Sequence, residues 1–210
     1  MKRRTSLREQ KKVETREALL AQARTLFLNQ GFDATTIDEI CDGARVSRRT
    51  FFRYFPNKQA LVFPNHQDRL DRFRGLLEGR RNQESVFATL RQATELFAIE
   101  YDLYRDSIVE IQTLIESSPL LLAREREIDR EWERAIEEAF TAEAGGTKEA
   151  RRRALVLAGA TIGVLRATMR FWFESHREAD LRGMGMDALD SLESGFPLPP
   201  QPNRDSAQAS

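Results

Sequence analysis

The sequence predicts an all-α protein of about nine helices: a three-helix helix-turn-helix unit at the N-terminus and a larger helical body behind it. Three observations carry this. Apolar residues recur at helical spacing through most of the chain, and no stretch sustains the alternation of a strand. Helix start and stop signals fall at regular intervals. Two short helices joined by a tight turn come after a longer first helix, which is the helix-turn-helix order.

Residues 1–11 read as a disordered basic arm. From Val13 to Gln30, Leu19, Ala23, Leu26 and Phe27 share one face, and Gly31 is a natural stop. Thr36-Ile-Asp-Glu39 has the spacing of a capping box and opens a helix with Ile37, Ile40, Cys41 and Ala44 turned inward. After a short turn Ser47 caps the next helix. Val46 before the cap and Phe51 within the helix have the spacing of a hydrophobic staple. Phe55 continues the buried face, Pro56 ends the helix, and Asn57 can cap the next one. Further helices are predicted near 58–79, 84–100, 102–116, 119–144, 148–176 and 186–194. Ser118-Pro119 is a strong start and Gly145-Gly146 a strong stop. The tail 196–210 is proline-rich and polar and reads as disordered. The expected domain division is 12–62 for the head and 63–195 for the body.

Charge separates the two parts. The chain is neutral overall, but residues 1–66 hold 13 Lys and Arg against 7 Asp and Glu, so the remainder is acidic. A basic head on an acidic body suits a polyanion partner. No run of about 18 apolar residues predicts a membrane span. The basic N-terminus has no apolar signal core behind it, so a cytoplasmic location is expected. The single Cys41 excludes an internal disulfide framework and falls on an inward stripe. His66 and His176 lack metal-ligand spacing, and no glycine-rich phosphate loop is present. No enzyme, metal or cofactor is expected.

SRRTFFRYFPNK, residues 47–58, carries the chemistry. Arg48 and Arg49 fall in the first turn of a helix, where the positive end of the dipole disfavours cations by a few tenths of a kcal/mol. Asp or Glu would serve folding better. The mismatch makes sense if this end faces DNA, where arginine grips guanine or phosphate as a fork. Arg53 lies on nearly the same outward face as Arg49. Tyr54 offers a hydroxyl to a phosphate, and Lys58 and Thr36 can take others.

The run TIDEICDGARVSRRTFFRYFPNKQAL, Thr36 to Leu61, resembles the DNA-binding segment of TetR-family transcriptional regulators. The matching positions are Thr36, Ile40, Val46, Ser47, Thr50, Phe51, Phe52, Arg53, Tyr54, Phe55 and Lys58. RRTFFRYFPNK and SSPLLLAREREIDREWERAIEEA also resemble an actinobacterial, mycofactocin-regulator-like branch. There are departures. Arg45 stands in the turn where the family usually has glycine, and either accepts strain there or points to phosphate. Arg49 stands where small residues or lysine are common, which implies a different operator. Pro64 interrupts what is normally a continuous fourth helix. The expected DNA-binding set is Thr36, Arg45, Ser47, Arg48, Arg49, Thr50, Arg53, Tyr54 and Lys58.

The resemblance implies a C-terminal ligand-binding and dimerisation domain, a homodimer on double-stranded operator DNA, repression, and release by a small effector. Leu90, Phe97, Tyr101, Tyr104, Ile108, Ile111, Trp132 and Ile136 are the candidate pocket residues, and their character points to a mostly apolar ligand. The helices near 148–176 and 186–194 are the expected dimer interface, with Gly159 and Gly163 four apart in the most apolar helix. Two other readings stay open: a protein-interaction module with a basic head, and a DNA-binding regulator with no small-molecule effector.

Overall fold

The computed structural model describes residues 7–80, 84–175 and 179–195. Among them are nine α-helices and one short 3-10 turn, with no strand. The helices are α1 (Leu7–Gln30), α2 (Ile37–Gly43), α3 (Arg48–Tyr54), α4 (His66–Gly79), α5 (Val86–Leu103), α6 (Arg105–Glu116), α7 (Pro119–Glu143), α8 (Lys148–Glu174) and α9 (Leu181–Ser194).

α1 begins at Leu7, so the disordered arm expected over 1–11 is corrected for Leu7–Lys11; residues 1–6 lie outside the described residues. The reason is propensity. Leu, Arg, Glu, Gln and Lys are good helix formers, and extending an existing helix avoids the cost of nucleation. These turns bury nothing, so apolar periodicity could not reveal them. The polar tail predicted over 196–210 and His176 also lie outside the described residues.

The described chain forms two compact units. The first comprises residues through Gly79 together with Glu100–Ala135. Leu19, Ala23 and Phe27 of α1, Phe32, Ile40 and Cys41, Phe51 and Phe55, and Leu61 and Val62 form its core. Ile115 of α6 and Leu121 of α7 close the same cluster. Phe27 and Phe32 meet at 5.2 Å, and Phe51 and Phe55 at 6.0 Å. Burial pushes the Cys41 thiol up from its ordinary value, as befits a core residue. Pro64 does break the fourth helix. Gln59–Leu61 is a 3-10 turn and α4 starts only at His66. Asn57 caps that turn, its Oδ1 accepting from the Ala60 N–H at 3.0 Å.

The second unit comprises Arg80–Ile99 and the chain from Ile136. Ala150, Ala154, Ala158 and Thr161 form a narrow buried stripe on α8 that lets its neighbours approach closely. Trp172 is fully buried and donates from Nε1 to the Ala179 carbonyl at 3.2 Å. α9 begins at Leu181, not near 186. Its two glycines weaken the helical signal, but Leu181, Gly185 and Leu189 are its buried face. A Cβ at Gly185 would stand 2.6 Å from Thr94 Cγ2 on α5, so only glycine permits this approach. Arg91 pairs with Asp190 and Glu193, and Arg182 with Glu95, tying α5 to α9.

Candidate nucleic-acid interface

The helix-turn-helix is built from backbone satisfaction. The Thr36 Oγ1 accepts from the Glu39 N–H at 3.2 Å, and Glu39 Oε2 accepts from the Thr36 N–H at 2.7 Å. This is the reciprocal capping box. The Thr36 backbone N–H, then its hydroxyl, hold the Glu39 carboxyl below its ordinary value.

The turn closes as a Schellman motif. The Val46 N–H donates to the Cys41 carbonyl at 2.9 Å and the Arg45 N–H to the Asp42 carbonyl at 3.1 Å. This geometry needs a left-handed residue, and Arg45 supplies it with φ 55°. A non-glycine residue there carries a strain of about 1–2 kcal/mol. The departure from the family pattern at this position is therefore a real conformational cost, and the Arg45 side chain is exposed.

Ser47 caps α3, its Oγ accepting from the Thr50 N–H at 3.1 Å, while the two hydroxyls share a further bond at 3.0 Å. The first role of Ser47 and Thr50 is thus to start the helix. Val46 and Phe51 both pack in the core, as the staple requires. With Phe51 fully buried, Arg49, Phe52 and Arg53 are turned out of the fold and exposed. Arg49 has no ion pair among the described residues. Arg53 lies 5.1 Å over the Tyr54 ring, which is half-buried.

Two expected contacts are modified. Arg48 is exposed, but its Nη1 donates to both carboxylate oxygens of Asp38 at 2.9 Å. An arginine at a helix start recovers its electrostatic cost from an acid on the preceding helix, a partner that sequence spacing alone did not assign. Lys58 is turned into the chain. Its Nζ donates to the carbonyls of Phe32 at 2.7 Å and Thr35 at 2.6 Å, and lies 4.2 Å from the Phe32 ring centroid. Burial pushes the ammonium below the usual lysine value, against the pull of Asp33 and Glu39. Lys58 therefore binds the loop that precedes α2 and leaves no open cation for a phosphate.

Sequence reasoning gave no site role to two residues, although it counted Phe52 among the positions matching the family pattern. Phe52 is an aromatic ring 48% exposed between the two outward arginines; its position three after Arg49 was the available signal. Arg16 donates from Nη2 to the Pro64 carbonyl at 2.8 Å and lies 5.6 Å over the Phe55 ring. Nothing in local sequence pairs residues so far apart.

The eight candidate pocket residues are divided between the two units. Tyr101, Tyr104, Ile108, Ile111 and Trp132 fall in the first unit, and Leu90, Phe97 and Ile136 in the second. Ile111 packs on the core of the helix-turn-helix, and Tyr104 is 59% exposed. Leu90 and Ile136 are fully packed core. Trp132 stacks on Phe73 at 4.8 Å. A groove of about 290 Å³ in the first unit is lined by Pro56, Asn57, Gln59, Ala60, Phe63, His66, Leu120, Ala123, Arg124 and Glu127. In it Arg124 Nη2 lies 3.0 Å from His66 Nε2, and His66 Nδ1 lies 3.1 Å from the Phe63 carbonyl.

In the second unit, α8 is long and apolar enough to cross a membrane by length and composition, although no unbroken apolar run shows it. Leu155, Val156 and Phe171 are more than half exposed on it.

Comparison with known proteins agrees with this architecture. The profile of bacterial regulatory proteins of the tetR family matches residues 19–63, and that of the MftR C-terminal domain matches residues 85–197. The chain is 28% identical over 198 residues to the transcriptional regulator TcmR of Streptomyces glaucescens, covering 89% of this chain and 86% of that protein. It is 26% identical over 178 residues to MftR of Mycobacterium tuberculosis, named for regulation of mycofactocin biosynthesis, covering 79% and 87%. Among solved structures, FadR of Thermus thermophilus, a transcriptional repressor in complex with lauroyl-CoA, superposes with a TM-score of 0.54 at 25% identity, covering 90% of this chain and 99% of that one. With a capped and stapled recognition helix at one end and an MftR-type domain over more than half its length, the chain belongs to the TetR family of bacterial regulatory proteins and is a DNA-binding transcriptional regulator.

Proposed function

We propose that this regulator is a cytoplasmic repressor that binds a near-palindromic operator as a homodimer and leaves it when a mostly apolar effector binds. The observation that carries the DNA-reading half is the outward face of α3, where Arg49 and Arg53 are exposed on a helix held rigidly by its cap and staple. Arg49 and Arg53 read base edges in the major groove, and Phe52 between them fits a thymine methyl. Arg45, Tyr54 and Thr36 position the head on the phosphates. Arg48 contributes through the Asp38 pair, and Lys58, Ser47 and Thr50 hold the frame. The activity is recognition, not chemistry on a substrate.

Dimerisation through α8 and α9 is supported by the exposed apolar residues of α8. Two copies would place their recognition helices in successive major grooves, about 34–36 Å apart. The effector reading draws on the lauroyl-CoA complex of the Thermus relative and on Trp132, half-buried against Phe73 in the body.

Selection of bound sequences from random duplex DNA tests the proposal. It should return one two-fold symmetric motif, bound about a thousandfold or more above random duplex. Lauroyl-CoA titrated against that complex, with Trp emission followed in parallel, tests the effector. Unselective recovery sinks the DNA reading. Failure of any apolar acyl compound to release the complex sinks the effector.

A further inference from the structure

His66 is the first residue of α4, two positions after the proline that breaks the chain there. Its ring faces α7 across the groove of the first unit. Nε2 lies 3.0 Å from Arg124 Nη2 and 3.8 Å from Glu131 Oε2, while Nδ1 lies 3.1 Å from the Phe63 carbonyl. Arg124 in turn donates from Nη1 to Glu127 at 3.0 Å and to Glu131 at 3.4 Å. Arg124, Glu127 and Glu131 are thus the charged groups that α7 presents. From α1, Arg16 ends on Pro64 and Asn65, just before the histidine. Asn57, Gln59 and Ala60, which line the groove from the head, are uncharged, and Asp68 and Arg69 follow on α4 itself. The ring is 23% exposed, so protons reach it.

The contact with Arg124 depends on the charge of the ring. A guanidinium donates and cannot accept, and an imidazolium has no lone pair to accept with. The 3.0 Å approach is a hydrogen bond while Nε2 is bare. Once the ring is charged, two cations that both donate stand against each other, and the Glu131 carboxylate is the acceptor within reach. We infer that His66 is a proton-operated clasp on operator binding. Neutral, it holds the start of α4 to α7 through Arg124; charged, it parts from Arg124, turns to Glu131 and loosens the joint. The joint bears on the recognition helix. Phe63, whose carbonyl faces Nδ1, packs on the head core, and the Pro64 carbonyl holds Arg16, which lies over Phe55. Phe55 in turn caps the C-terminal end of α3. Loosening lowers the fraction of chains whose recognition helix is set for the groove of DNA, and apparent affinity falls by that fraction. The inference rests on α3 being the recognition helix.

The chain has two histidines, so one substitution isolates this ring. Fluorescence anisotropy on the selected operator compares the parent with His66→Gln from about pH 8 to about pH 5.5, where imidazoles change charge and ordinary carboxylates do not. Gln can accept from Arg124 and never becomes charged. Toward acid the parent should lose about five- to tenfold in affinity beyond any change in His66→Gln. In parallel, NMR follows the His66 ring signals, assigned by their loss in His66→Gln. Their midpoint should move up in Arg124→Gln, which removes the opposing cation, and down in Glu131→Gln. An equal acid loss in parent and His66→Gln, or a ring midpoint indifferent to both α7 substitutions, overturns the inference while the recognition-helix reading stands. A parent chain that binds no duplex at either pH overturns the recognition reading and, with it, the effect on DNA; the ring titration then decides the clasp alone. Circular dichroism at both pH values confirms that each variant is folded, as expected for side chains that are all partly exposed.

Discussion

At the residue scale, side-chain direction divides the basic residues of the head into those left open to a partner and those that hold the frame. Arg49 is exposed and has no ion pair within the described chain, so Arg49→Ala should lower operator affinity by about 1–3 kcal/mol and relax preference at one base position. Anisotropy on the operator and its single-base variants checks this. Lys58 belongs to the second group. Lys58→Met removes the ammonium from the Phe32 and Thr35 carbonyls and should cost about 1–3 kcal/mol in urea unfolding, with operator preference unchanged. Arg45 tests backbone strain. Since its φ is 55°, Arg45→Gly should be about 1 kcal/mol more stable than Arg45→Ala, and both should bind DNA more weakly than the parent. The types of these residues were legible in the sequence, but the direction of Lys58 was not. That direction depends on carbonyls at residues 32–35, which become a cage only once the loop is folded.

At the element scale, local signals were the most legible. The Thr36 capping box, the Ser47 cap and the break at Pro64 are short-range patterns whose physics is complete within a few residues. The first turns of α1 and the start of α9 were not legible, because one depends on propensity without burial and the other on a glycine admitted by close packing. The capping box also gives a pH dependence. Glu39 has a folded value below its ordinary one, because it accepts the Thr36 N–H and hydroxyl bonds. Its contribution is present above the unfolded value of about 4.3 and is lost as pH falls through the lower folded value. Amide exchange in α2 should therefore rise at acid pH in the parent, and Glu39→Gln should flatten that rise.

At the scale of the whole molecule, the apolar stripes of the body were legible as stripes but not as pocket or core, since both are apolar and helical. Ile111 shows the ambiguity: its spacing matches Ile108 and Ile115, yet it packs on the helix-turn-helix. The α8 face is clearer, because Val156 and Phe171 remain exposed in a helix of this length. Val156→Glu with Phe171→Glu should give a monomer in sedimentation. Without the second head on the same site, operator binding should weaken by roughly 10²–10⁴-fold.

The chain has five lysines, and Lys58 alone has its amine enclosed by carbonyls among those described. Graded acylation with an anhydride should therefore mark the outer amines early and this one last. Acylation of Lys58 and collapse of the N-terminal core should appear in the same fraction, since a neutral amide cannot replace the strap.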